Sequence, residues 1–406
     1  MRVSRRAERV EPFYVMELAK AATRLAAEGG AGQRPMIYLN IGEPDFTAPP
    51  LVQEAAERAI RAGHTQYTNA LGLEALRERI SAWYQQRFGV QVPARRIVVT
   101  AGASAALQLA CLALIDAGDE ILMPDPSYPC NRQFVQAAEG VARMVPCGPG
   151  QRFQLSAEQV QAHWGERTRG VLLASPSNPT GTSIARDELQ RIAAAVRERQ
   201  GITLLDEIYL GLSHDAAFGQ TALTLPDGLG ETVISVNSFS KYFNMTGWRL
   251  GWLVLPPALV PAVERLAQHL FICPSAISQH AALACFEPDS LAEYERRRAT
   301  FKARRDYFIP ELNRLGLTVP VMPDGAFYAW AEVGALCERW GMAPPGDSPE
   351  TGGSWPLAFE LMRRCQLAAT PGRDFAQAEA GRYLRFSTAN SMEQLQEAVA
   401  RLEAAW

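Results

Sequence analysis

Lysine is nearly absent from this chain. Of 40 basic residues only Lys20, Lys241 and Lys302 are lysine, which leaves 37 arginines. A guanidinium stays protonated at any working pH and forms no imine, whereas a partly desolvated amine loses its proton and attacks carbonyls. Any Schiff-base chemistry therefore falls to one of three residues. Other absences narrow the classes further. The seven cysteines, at 111, 130, 147, 273, 285, 337 and 365, include no C-x-x-C pair, and the five histidines show no H-E-x-x-H spacing. Reduced, buried thiols and no metal site are the expectation. No run approaches the roughly 18 apolar residues of a membrane span. A net charge of −3 supplies no overall basic field for nucleic acid or an anionic membrane. The Arg-rich start "MRVSRRAERV" lacks the apolar core of a secretory signal and reads as a solvated helix face, so a cytoplasmic protein is expected.

What is present is ordinary for a globular protein: 406 residues, 48% apolar and 20% charged. That length exceeds one small core and predicts more than one domain. From about residue 92 to 255, short apolar runs ("RIVVTAG", "DEILMPD", "GVLLASP", "GITLLDE", "TVISVNS") alternate with helical patterns ("SAALQLACLALIDAG", "ARDELQRIAAAVRERQ"). Such alternation predicts an α/β fold with a mostly parallel sheet covered by helices on both faces. Beyond about 290 an Arg-rich helix and short strands near "GAFYAWAEV" and "RYLRFSTAN" suggest a smaller α+β domain. The Gly- and Pro-rich segment 341–355 reads as an exposed loop. The predicted organisation is an N-terminal segment (1–45) packing with the small domain, a large domain (46–290) and a C-terminal small domain (291–406).

Ligands of parallel sheets sit beyond the carboxyl ends of the strands. There the apolar runs break into polar residues: Thr100, Asp125, Ser175, Asp206 and Ser238. In "TAGASAALQLA", Gly102, Ala103, Ser104 and Ala105 stand between a strand and a helix, where small residues let free N–H groups approach an anion. A small-residue turn is commonly no more than a turn, and a strand-end carboxylate such as Asp206 is commonplace. The combination is more specific. "SFSKYFNMTGWRLGW" (238–252) holds Lys241 with Ser238 before it and Arg249 after it, and "TLLDEIYLGL" places Tyr209 just after Asp206.

Six segments in order resemble the successive signatures of one family, the pyridoxal-phosphate-dependent aminotransferases of fold type I, class I/II. They are "LNIGEPDF", "QYTNALGLEALR", "SPSNPTG", "LLDEIY", "SFSKYFNMTGWRLGW" and "YLRFSTAN". The resemblance implies a large domain with a seven-stranded sheet and a smaller α+β domain. It implies pyridoxal 5'-phosphate as cofactor, with Lys241 as the Schiff-base lysine, Asp206 partnering the pyridine nitrogen, and Tyr209 and Asn178 holding the phenolic oxygen. Tyr128 would stack on the ring. Ser104, Ser238 and Arg249, with the backbone of Ala103 and Ala105, would bind the phosphate, joined by Tyr67 of a second subunit in a homodimer with shared sites. Arg385 and Asn178, with Gly42 nearby, would bind the substrate α-carboxylate.

The implied activity moves the amino group of an L-amino acid to a 2-oxo acid in two half-reactions. Members favouring aspartate often carry a lysine where this chain has Ser104, so strict aspartate specificity is not expected. Phe13, Tyr14, Val15 and Met16 stand where substrate contacts are implied, suggesting an apolar side-chain pocket, although they fit a helix packing its apolar face equally well. The cofactor residues alone do not select the reaction, and a C–S β-lyase on the same fold is the alternative. A non-catalytic effector domain of a transcription regulator would need a DNA-binding module, and none is expected because the pattern already begins near residue 4.

Overall fold

The computed structural model describes residues 2–12, 14–28, 34–344 and 353–405. Phe13 and most of the predicted 341–355 loop, residues 345–352, lie outside the described residues.

A seven-stranded sheet forms the larger body, in the order Ile97–Thr100, Gly251–Val254, Val233–Ser238, Ile202–Asp206, Thr168–Ala174, Glu120–Asp125, Val141–Pro146. Gly251–Val254 runs antiparallel to both neighbours, and the remaining pairs are parallel. The central strands are apolar on both faces because alternate side chains enter different layers. Leu172, Leu204 and Ile234 pack with Ala106, Leu109 and Ala110 of the helix Ala103–Leu114. Their neighbours Leu173, Leu205 and Val233 pack on the other face with Leu189, Ile192 and Val196 of the helix Arg186–Glu198.

Two strands of this sheet escaped the sequence reading. Val141–Pro146 is a partly exposed edge strand, and the four-residue Gly251–Val254 is hidden at the end of the "TGWRLGW" motif. Local chemistry sets the helix starts. Ser156 Oγ accepts from Gln159 N at 3.1 Å while the Gln159 side chain accepts from Ser156 N at 3.1 Å, a reciprocal cap on Ala157–His163.

The smaller body is an antiparallel sheet of Thr370–Pro371, Tyr383–Ser387 and Tyr328–Glu332. The N-terminal strand Ile37–Tyr38 pairs with Leu367–Ala368, and Leu18, Ala22 and Leu39 share one core with Phe308, Leu361 and Leu402. One long helix, Pro288–Arg314, ties the bodies together. Its Tyr294 and Phe301 enter the core containing Trp83 and Phe243, whereas its Phe308, Ile309 and Leu312 enter the smaller core. The passage from one body to the other is thus spread along a helix, and no abrupt break falls at residue 290. Among the described residues no helix is long and apolar enough to cross a membrane.

Candidate active site

Three elements deliver polar groups to one hollow: the carboxyl ends of the sheet strands, the N-terminal segment around residue 42, and the strand Tyr383–Ser387 of the smaller sheet. The resulting cavity of about 450 Å³ is lined by Gly42, Ala103, Ser104, Tyr128, Asn178, Asp206, Tyr209, Ser238, Lys241, Arg249 and Arg385, among others. Eleven of the thirteen site residues expected from the sequence are therefore brought together.

The other two stand apart. Ala105, one step along the helix from Ser104, is buried and does not line the cavity. Tyr67 is 81% exposed. Of the remaining polar strand ends, Asp125 accepts from Gln377 N and Ala378 N, and Ser175 Oγ accepts from Ile184 N, so both tie chain to chain. Of the entry-segment residues, Val15 and Met16 line the cavity. Tyr14 lies instead against Trp355 and the Arg373 guanidinium.

At one end the sequence Thr100-Ala-Gly-Ala turns from strand into helix. Gly102 sits at φ +83°, and a Cβ there would come within 2.8 Å of Arg249 Nη2, so glycine both permits the turn and admits the guanidinium. Gly102 offers no side chain to cap the helix Ala103–Leu114, whose first N–H groups have no partner within the helix. Ser104, Ser238 and Arg249 line the same end. Hydroxyls, a guanidinium and an uncapped helix start together suit a phosphate.

In the middle, Lys241 Nζ donates to Gly42 O at 2.6 Å. Burial lowers its pKa to about 8, reinforced by Arg385 and Arg249 and opposed by Glu43 and Asp206. Asp206 is buried and accepts from Ile208 N at 3.1 Å. Burial pushes its carboxyl up to about 7, with Glu207 adding to the rise and the Ile208 N–H and Lys241 opposing it. A carboxylate held this way gains from a cationic N–H brought beside it. Burial also raises the Tyr209 hydroxyl well above its ordinary value, so it remains a proton donor.

At the other end Arg385 is 3% exposed. It donates to Asn178 Oδ1 at 2.9 Å and to Asn40 O at 2.7 Å, and its guanidinium lies between the Tyr328 and Phe375 rings at 4.5 and 4.7 Å. Its Nε is buried without a hydrogen bond, and the Asp374 carboxyl interacts with it electrostatically without a direct ion pair. A buried cation left unpaired is costly, and an anion arriving in the cavity would relieve that cost. No cluster of metal-ligating side chains occurs among the described residues.

Several lining residues were not anticipated: Asn40, Glu43, Pro176 and Tyr328 among them. Tyr328 lies in the run "GAFYAWAEV", which reads from sequence only as an apolar strand.

The family profile described as aminotransferase class I and II matches residues 34–402. The chain belongs to the class I and II aminotransferases. It is 38% identical over 393 residues to the valine–pyruvate aminotransferase of Mycobacterium tuberculosis, covering 97% of this chain and 96% of that protein. It is 33% identical over 405 residues to an aspartate aminotransferase of Rhizobium meliloti, covering 99% and 96%. A solved aminotransferase from Mycobacterium tuberculosis superposes with a TM-score of 0.90 at 36% identity, covering 100% of this chain and 99% of that one. Thermus thermophilus aspartate aminotransferase with maleate superposes at 0.87 with 29% identity and full coverage of both chains. This aminotransferase moves amino groups between amino acids and 2-oxo acids, and its family depends on pyridoxal phosphate.

Proposed function

We propose that the cavity binds pyridoxal 5'-phosphate and transaminates neutral L-amino acids with apolar side chains in preference to dicarboxylic ones. The observation that carries the reading is the set of cations lining the cavity: Lys241, Arg249 and Arg385. Lys241 would hold the cofactor's aldehyde, and Arg249 its phosphate together with Ser104, Ser238 and the helix start. Asp206 would face its ring nitrogen, Tyr209 and Asn178 its phenolic oxygen, and Tyr128 its ring face. Arg385 would take the substrate α-carboxylate. Among the described lining residues no cation then remains for a second carboxylate, and Ser104 stands where aspartate-favouring relatives often have lysine. Val15, Met16, Ala19 and Ile41 supply an apolar wall instead. The valine–pyruvate activity of one relative agrees with this preference.

Bound here, the cofactor supplies an aldehyde that takes up the amino group and a ring that accepts electrons. The chain's residues supply the remainder. The Asp206 carboxylate keeps a proton on the ring nitrogen facing it, because a buried anion stabilises an adjacent N–H cation. Tyr209 donates its hydroxyl proton toward the phenolic oxygen. The planar Arg385 guanidinium offers two parallel N–H bonds to a carboxylate, fixing the orientation of the substrate Cα. With a pKa near 8, Lys241 is partly neutral at physiological pH and would serve as the base that takes the proton from the substrate Cα and delivers it to the carbon that was the cofactor's aldehyde.

A homodimer with shared sites belongs to the same proposal: Tyr67 is 81% exposed and would reach the neighbouring subunit's phosphate. The seven cysteines are all free, which suits a reducing cytoplasm. The test is kcat/KM for L-valine, L-alanine, L-aspartate and L-glutamate with a common acceptor. The neutral donors should exceed aspartate, and a preference for aspartate would overturn the assignment of the apolar wall.

A further inference from the structure

Tyr328 occupies a position at which three parts of the site meet. It is 1% exposed, at the start of the strand Tyr328–Glu332. Its hydroxyl lies 2.7 Å from the Tyr209 hydroxyl, the one hydrogen bond recorded for it among the described residues. Its ring carries the Arg385 guanidinium at 4.5 Å. A Cβ on Gly42 would meet the Tyr328 hydroxyl at 2.5 Å, so the segment whose Gly42 carbonyl accepts from Lys241 is built around this oxygen.

Donor accounting then fixes the direction of the tyrosine–tyrosine bond. Each phenol carries one proton. When Tyr209 donates to an acceptor in the cavity, its bond with Tyr328 persists only with Tyr328 as donor and Tyr209 as acceptor. A hydroxyl that accepts one hydrogen bond becomes a stronger donor in the next. We propose that Tyr328 is a positioning residue: its hydroxyl aims and strengthens the Tyr209 hydroxyl toward the cofactor's phenolic oxygen, while its ring holds the Arg385 carboxylate clamp. The two functions belong to different parts of one side chain and can be separated by substitution. The inference rests on the cofactor assignment above.

The test uses the holoenzyme and reads the pH titration of the bound cofactor's absorbance, together with KM for the amino acid. Tyr328→Phe removes the hydroxyl and keeps the ring. It should move the titration of the absorbance band up by roughly half a pK unit, since weaker donation from Tyr209 stabilises the phenolic anion less, and should leave KM within about twofold. Tyr328→Leu removes both features and should add a rise in KM of about tenfold. In a Tyr209→Phe background the effect of Tyr328→Phe on the titration should vanish, because Tyr328 acts through Tyr209. An unmoved titration in Tyr328→Phe, or an equal shift in both backgrounds, would overturn the positioning role while the cofactor assignment stands. A wild-type protein that shows no cofactor band after addition of pyridoxal phosphate would overturn both.

Discussion

Replacing Asp206 by Asn should make the cofactor-free protein more stable and the loaded protein less so, with a pH dependence that identifies the cause. Burial lifts the Asp206 carboxyl from the ordinary aspartate value of 3.8 to about 7. An acid whose folded pKa lies above its unfolded value costs the folded state nothing when it is protonated in both states. As pH rises above about 4, the unfolded chain loses the proton first, and the cost grows until the folded group also ionises near 7. Above that it is complete. Roughly three pK units at about 1.36 kcal/mol each give a cost of about 4 kcal/mol. Asparagine cannot ionise and escapes this cost.

Urea unfolding of wild-type and Asp206→Asn apoprotein at several pH values between 5 and 8.5 should therefore show the variant's advantage growing up to about pH 7 and levelling off near about 4 kcal/mol above it. With pyridoxal phosphate bound the order should reverse, because the wild-type carboxylate then has its cationic partner. An advantage independent of pH, or a variant that binds cofactor as tightly as wild type, would refute the electrostatic account of Asp206.

Lys241→Ala should lower turnover by about 10³-fold or more with circular dichroism unchanged, and steady-state activity close to wild type would remove the base from the mechanism. Arg385→Ala should raise KM for amino acids roughly 100-fold while cofactor binding, followed by absorbance, changes far less. Gly42→Ala should displace the Tyr328 hydroxyl and so reproduce the upward shift of the absorbance titration expected for Tyr328→Phe, with an unshifted titration counting against the contact. Glu207 is fully buried and accepts from Thr221 Oγ1 at 2.8 Å, Ala222 N at 2.8 Å and Ser235 Oγ at 2.5 Å. Glu207→Ala should destabilise the fold by about 2–4 kcal/mol in denaturant titration, since three buried donors lose their acceptor.

The strands that sequence made visible are those buried on both faces. Their mostly apolar runs, such as Gly170 to Ala174 and Ile202 to Leu205 with its single polar residue Thr203, end in polar residues at the carboxyl edge, and Asp206 and Ser238 line the cavity for that reason. Val141–Pro146 mixes Arg143 with apolar residues because one edge is solvated, which removes the signal of a buried strand. Composition narrowed the amine to three lysines, of which Lys241 sits in the most specific motif, whereas Arg385 was one of 37 arginines and was picked only by family resemblance. Tyr328 was illegible for a different reason. A tyrosine in an apolar strand looks like core, and only the convergence of Tyr209, Arg385 and Gly42, separated by 119, 57 and 286 residues, gives it a role.

The most direct test of the central claim is absorbance of the purified enzyme, loaded with pyridoxal phosphate, as single L-amino acids are added without an oxo acid. Conversion of the pyridoxal form to the pyridoxamine form by valine or alanine, and its loss in Lys241→Ala, is the predicted result. A bound cofactor that no amino acid converts to pyridoxamine would contradict amino-group transfer at this cavity.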